Sequence, residues 1–255
     1  MAIFVYLGLM FNMKNFFTDQ NYFWPFKLFG LTHILCLLFV VVGCIVIYIY
    51  RDKIKNMQDK TKNRILKSLV LLMLLNMIVF NISYLYFGIF NLKNDLPFHL
   101  CIFSGYMFMI GILFKKEQLL KITFFLSFIG PLPAMIWPDM NGTFNSFRFY
   151  EYFISHHVYL LASLFSYYAL NYKITLKDVR NVFIFTNIIF LITIPVNKIF
   201  DSNYIFSNFI PPHIVELYPF LKHVPSAVVL EIVGITLMFI IYQIARLRNK
   251  EIDKK

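Results

Sequence analysis

Seven apolar runs, each close to the length needed to cross a bilayer, constrain this chain more than anything else in it. They are Phe29 to Tyr50, Ser68 to Phe90, Leu96 to Phe114, Leu119 to Trp137, Tyr152 to Leu170, Val182 to Ile199 and Ala227 to Leu247. A hydrocarbon core of about 30 Å takes roughly 20 apolar residues in helical form, because a helix satisfies its own backbone where there is no water. With 59% apolar and only 15% charged residues among 255, no stretch is polar enough to form a separate soluble domain. The expected fold is all-α, a polytopic bundle of seven transmembrane helices forming one domain over residues 1–255. Within it, residues 1–28 form an interfacial N-terminal segment, 29–247 the bundle, and 248–255 a basic tail.

The net charge of +11 would point to nucleic acid in a soluble protein. In a membrane protein it is read by position, since cytoplasmic loops collect Lys and Arg. Eighteen of the 24 basic residues fall on one side of the seven-run scheme: Arg51 to Lys67, Lys115 to Lys121, Lys173 to Arg180, and the tail from Arg246. Only Lys14, Lys27, Lys93, Arg148, Lys198 and Lys222 fall on the other. This asymmetry predicts a cytoplasmic C-terminus, an outer N-terminus and no nucleic-acid partner. Met1 to Phe11 lacks a basic start and a small-residue cleavage site, so it reads as interfacial rather than as a signal peptide, with Phe16, Phe17, Tyr22, Phe23 and Trp24 following it.

On that topology the unusual polar residues fall at one depth. His33 lies one turn into run one, His99 and Cys101 open run three, His156 and His157 lie near the start of run five, Asn197 ends run six, and Glu231 lies one turn into run seven. Asn81 sits deeper in run two, and Asp139 and Arg148 precede run five. Ionisable groups in membrane helices turn toward protein or a wet cavity, which argues for one pocket near the outer leaflet. Singly, each is better explained as a cap or a hydrogen bond to a neighbouring helix, or, for Glu231, as a side chain snorkelling to water. Run four is broken by Gly130, Pro131 and Pro133, a kink of the kind that borders cavities.

Of the three cysteines, Cys36 and Cys44 are eight residues apart on one helix, about 12 Å along its axis, too far for a disulfide, and read as packing. Cys101 differs, standing at a helix N-terminus where the dipole favours negative charge. His156 and His157 point about 100° apart and cannot share a role. The residues alone do not choose between them. His213 and His223, in a Pro-rich loop, read as surface residues. No His/Cys spacing forms a compact metal motif, and neither metal nor cofactor is expected.

Leu96-Pro97-Phe98-His99-Leu100-Cys101 is the most specific stretch. With Gly30 and His33, Phe147-Arg148-Phe149, Ser155-His156, Asn197, Asn203-Tyr204 and Glu231, it resembles the YwaF-like family of bacterial integral membrane proteins. That family is related to a eukaryotic membrane family with lipid acyltransferase activity. The resemblance implies a Cys/His pair acting on phospholipid acyl chains, with Cys101 as nucleophile and His156 as base. His157 stands where the family carries a small residue. On this reading the protein is a cell-membrane transacylase whose partner is a phospholipid or lysophospholipid. His33, Asn81, His99, Arg148, Asn197 and Glu231 are the candidate substrate-binding residues. The competing expectation is a transporter or small-molecule receptor using the buried His, Glu and Asn.

Overall fold

The structure, a computed structural model, describes residues 13–18, 25–140 and 142–253. Most of the expected interfacial segment, including Tyr22, Phe23 and Trp24, and the last two tail lysines lie outside the described residues.

Each of the seven apolar runs forms a helix: α1 Leu31–Ile49, α2 Asp59–Tyr86, α3 Leu100–Leu113, α4 Glu117–Ile129, α5 Phe147–Ala169, α6 Leu176–Phe200 and α7 Ser226–Asp253. After Gly130, α4 continues as a short helix, Pro131–Ile136. Further short helical turns cover Met13–Thr18, Arg51–Lys55, Tyr204–Phe206, Pro212–Leu217 and Pro219–His223. Among the described residues there is no strand, only an isolated bridge between Pro25 and Gly142.

Five of these helices are long and apolar enough to cross a membrane: α1, α2, α4 with its continuation, α6 and α7. The other two depart from the simple count for different reasons. α3 has 14 residues, hence about 21 Å of length, because Pro97 and the extended His99 delay its start. α5 is long enough at 23 residues, but 15 of them are buried. A helix surrounded by protein need not be apolar toward lipid, so α5 carries Tyr, His and Ser where the outer helices carry Leu and Ile.

The bundle is built around α5, which packs against α1, α2, α3 and α4. Phe108 of α3, Phe125 and Leu126 of α4 and Tyr159 of α5 belong to the main apolar core. A second cluster joins Val40 of α1, Met135 of the short helix, and Phe149, Phe153 and Leu160 of α5. Leu35, Leu38, Phe39, Val42 and Ile45 leave most of α1 facing outward, as a lipid-facing helix requires. Helix starts follow ordinary capping chemistry. Ser146 accepts from the Phe149 amide at 3.3 Å, and Thr175 with Asp178 forms a capping box at the start of α6.

Candidate functional site

The broken fourth span frames the site. A helix interrupted at Gly130 and ending at Ile136 leaves carbonyls without partners in its own helix. Two are taken by side chains of other helices. The Tyr152 hydroxyl of α5 donates to the Ala134 carbonyl at 2.7 Å, and His33 Nε2–H of α1 donates to the Met135 carbonyl at 2.8 Å. His33 Nδ1 in turn accepts from the Phe29 amide at 2.9 Å, so both its nitrogens are engaged in bracing α1 against the break. On the opposite side, Gly130 meets the first turn of α3 so closely that a Cβ there would stand 2.9 Å from the Cys101 nitrogen.

Cys101 therefore sits in the first turn of α3, half-buried, one residue before Ile102, whose backbone N–H donates to the His99 carbonyl at 3.0 Å. Its orientation is set one turn further on. Gly105 occupies the same face at i+4, and the Tyr159 ring of α5 fills the space a Cβ would need, at 2.6 Å. The Cys101 face of α3 thus looks onto the Tyr152, His156 and Tyr159 face of α5, and the thiol lies within electrostatic range of both tyrosines.

His156 is buried, stacked on Tyr152 with ring centroids 4.0 Å apart. Its Nδ1 lies 2.6 Å from the Tyr152 carbonyl. A carbonyl can only accept, so Nδ1 carries the proton and Nε2 keeps its lone pair. That Nε2 is buried and has no partner among the described residues. Below it on the α3 and α5 faces, the hydroxyls of Ser104 and Ser163 are likewise buried without partners.

Charge enters from Arg148, whose guanidinium pairs with Glu151 at 2.5 Å and lies 5.3 Å from the Phe80 ring centroid and 5.4 Å from that of Tyr152. Asn76 of α2 donates to the Glu151 backbone and carboxylate at 3.3 and 3.5 Å. His99, Cys101 and His156 all lie within electrostatic range of Arg148.

A knot of hydrogen bonds covers the start of α3. Asn197 is fully buried and spends its whole amide on the following loop. Its nitrogen donates to the Tyr204 carbonyl and Ser207 hydroxyl, and its oxygen accepts from the Ser202 hydroxyl and Tyr204 amide. The Tyr204 hydroxyl then accepts from the Leu96 amide at 2.8 Å and donates to the Leu92 carbonyl at 2.7 Å. His99 Nδ1 accepts from the Ile205 amide at 3.4 Å beneath the same loop.

The structure thus gathers Cys101, His99, Arg148 and His156, with His33 and Asn197 as braces whose polar atoms are already bonded. Asn81 stands apart. It is exposed on α2 and donates to the Met77 carbonyl of its own helix at 2.8 Å. Glu231 is half-buried on α7 and has no hydrogen-bond partner among the described residues. His157 faces α1, with Nε2 2.8 Å from the Cys36 carbonyl. Tyr152, Tyr159, Glu151 and Gly105 are part of the arrangement although sequence reasoning passed over them. The i, i+4, i+7 spacing of Tyr152, His156 and Tyr159 was the available signal.

These features define a multi-pass α-helical membrane protein with a buried polar cluster between α3 and α5. Residues 28–242 match the TMEM164 family, and the chain belongs to it. No curated protein and no solved structure matches the chain.

Proposed function

We propose that this protein is a cell-membrane phospholipid acyltransferase working through a thioester on Cys101, as its resemblance to the YwaF-like family implies. The observation that carries the reading is His156, whose tautomer is fixed by the Tyr152 carbonyl and whose lone pair on Nε2 is buried without a partner among the described residues. That is how a general base is held ready. Nε2 takes the Cys101 thiol proton, and the thiolate attacks the ester carbonyl of a phospholipid. The ester C–O bond breaks, and the leaving lysolipid oxygen takes the proton back from His156. An acceptor hydroxyl then loses its proton to His156 and attacks the thioester, freeing Cys101. The N-terminus of α3 favours negative charge at sulfur, and Arg148 and His99 hold the phosphate.

The seven-span scheme, with an outer N-terminus and a cytoplasmic C-terminus, puts this site near the outer leaflet within one domain. α3, short as it is, crosses by virtue of the extended segment before it. His33 and Asn197 serve the substrate indirectly, by fixing the walls.

Mass spectrometry of the full chain after incubation with a diacyl phospholipid tests the reading. A hydroxylamine-labile fatty-acyl adduct on Cys101, missing in Cys101→Ser, is expected. A folded, lipid-bound protein without that adduct would overturn it.

The hydroxyls of Ser104 and Ser163, buried without partners among the described residues, favour a second reading, a transporter or receptor in which a polar solute satisfies them. Transport that survives Cys101→Ser but not Glu231→Gln would select it.

A further inference from the structure

At the end of the bundle opposite the site, a cavity of about 400 Å³ lies between the start of α2 and the end of α5. Its two walls differ in chemistry. One carries Lys55, Lys62 and Asn63, with Asp59 at the rim; the other is the last turn of α5 and Asn171.

Lys62 is the informative residue. Its side chain is only 13% exposed, yet its acidic partner Asp59 is 92% exposed and 3.4 Å away, at the far limit of a hydrogen bond. An ammonium has three donors, and this one long contact leaves two of them for a closer anion. The N-terminus of the 28-residue α2 opens beside it without a side-chain cap, adding backbone N–H groups. Asn171 gives its carbonyl oxygen to Arg248 at 2.9 Å, which leaves its NH₂ as the group for a ligand. The facing wall is the reverse, since the final carbonyls of α5 have no partners within the helix and accept hydroxyls.

Depth fits as well. Arg51 lies 4.4 Å over Tyr48 and Lys53 5.1 Å over Tyr50, at the end of apolar α1, the aromatic and basic pattern of a membrane interface. A 400 Å³ space is at the small end of ligand pockets and suits a headgroup, not a whole lipid.

We propose that this cavity binds a hydroxyl-bearing phosphate group, with Lys55 and Lys62 on the phosphate and the last carbonyls of α5 on the hydroxyls. The source is either a phosphatidylglycerol-type lipid headgroup or free glycerol phosphate. Binding here is independent of chemistry at Cys101.

Native mass spectrometry of the full chain, equilibrated separately with phosphatidylglycerol, phosphatidylcholine and glycerol 3-phosphate, tests it. Phosphatidylglycerol is expected to stay bound where phosphatidylcholine is stripped. K55Q/K62Q should weaken it roughly thirtyfold and K55Q alone about fivefold. The charge-matched K60Q/K67Q, outside the cavity, and C101S should leave it unchanged. Retention of glycerol 3-phosphate alone, with the same sensitivity to K55Q, supports the site and assigns it to the free phosphate. Equal losses in K55Q/K62Q and K60Q/K67Q, or affinity for both ligands that ignores K55Q, would overturn the proposal.

Discussion

Tyr152 holds His156 in two ways at once: its carbonyl receives the imidazole Nδ1 proton at 2.6 Å, and its ring stacks on the imidazole at 4.0 Å. One residue therefore fixes both the tautomer and the tilt of the ring. The Tyr152 hydroxyl, by contrast, serves the Ala134 carbonyl and not the imidazole.

This division separates two substitutions. His156→Ala should lower acyl transfer by about 10²–10⁴-fold, the usual worth of a positioned base. Tyr152→Phe keeps the carbonyl and the stack, so it should keep most of the rate and lose about 1 kcal/mol of stability through the orphaned Ala134 carbonyl. Acyl exchange between labelled lipids in proteoliposomes, read beside thermal unfolding, checks both.

Gly130 and Gly234 make a matched pair. A Cβ at Gly130 would stand 2.9 Å from the Cys101 nitrogen and 3.1 Å from the Leu100 carbonyl carbon, and backbone cannot swing aside as a side chain can. Gly130→Ala should therefore cost about 1–3 kcal/mol as overpacking and displace Cys101, lowering thioester formation with it. Nothing lies within 4 Å of a Cβ at Gly234, in the interior of α7, so Gly234→Ala should be neutral or stabilise by up to about 1 kcal/mol. Denaturation of the two variants side by side distinguishes a steric cause from a general intolerance of alanine.

The loop after α6 holds the segment before Cys101 most firmly through Tyr204. Its hydroxyl bonds to Leu92 and Leu96, the segment that leads into Pro97 and α3. Tyr204→Phe should cost about 1–2 kcal/mol and loosen that segment. Asn197→Ala strands four bonds of a fully buried amide and should cost more, about 2–4 kcal/mol. Hydrogen exchange at residues 92–101 should rise in both variants. Unchanged exchange there would sever the proposed link between the loop and the site.

Lys93 and Asp201 tie the same two loops by an exposed ion pair, and the lysine holds the Asp201 carboxyl below the ordinary carboxylate range. Any stability it gives is present above the unfolded carboxylate pKa and is lost as pH falls through the lower folded value. Because the pair is exposed and screened, Lys93→Ala should shift thermal unfolding little at neutral pH, and the difference should vanish in acid or in high salt.

How much of this was legible in the chain follows from what each residue's neighbours do. The helices were readable because lipid leaves a backbone no alternative, and the common depth of His33, His99, Cys101 and His156 because each stands near the same end of its run, whereas their roles were not readable. Asn81 misled because an asparagine can bond its own helix at i−4 and face outward, as it does at Met77, whereas Asn76 reaches Glu151 across to α5. Sequence spacing sees the residue and not which of the two bonds wins. Gly105 was invisible for a related reason: its value lies in the ring of Tyr159, 54 positions away, that fills its missing Cβ. The shortness of α3 was equally hidden, since Leu96, Phe98 and Leu100 are apolar whether extended or helical.

Arg148 and Glu151 offer the sharpest separation of structure from chemistry. The Glu151 side chain is 11% exposed and that of Arg148 34%, so the pair is largely desolvated. Glu151→Gln leaves a cation facing Phe80 and Tyr152 without its counter-ion and should cost about 3 kcal/mol, the low end for a broken buried pair because the arginine keeps a third of its surface exposed. R148L/E151L removes both charges and should recover much of that stability, since apolar replacement of a buried pair is often neutral. Acyl transfer should move the other way: E151Q keeps the guanidinium and a measurable rate, whereas the double variant loses the group proposed to hold the phosphate and with it the activity. A double variant that regains both stability and rate would leave Arg148 with a packing role only.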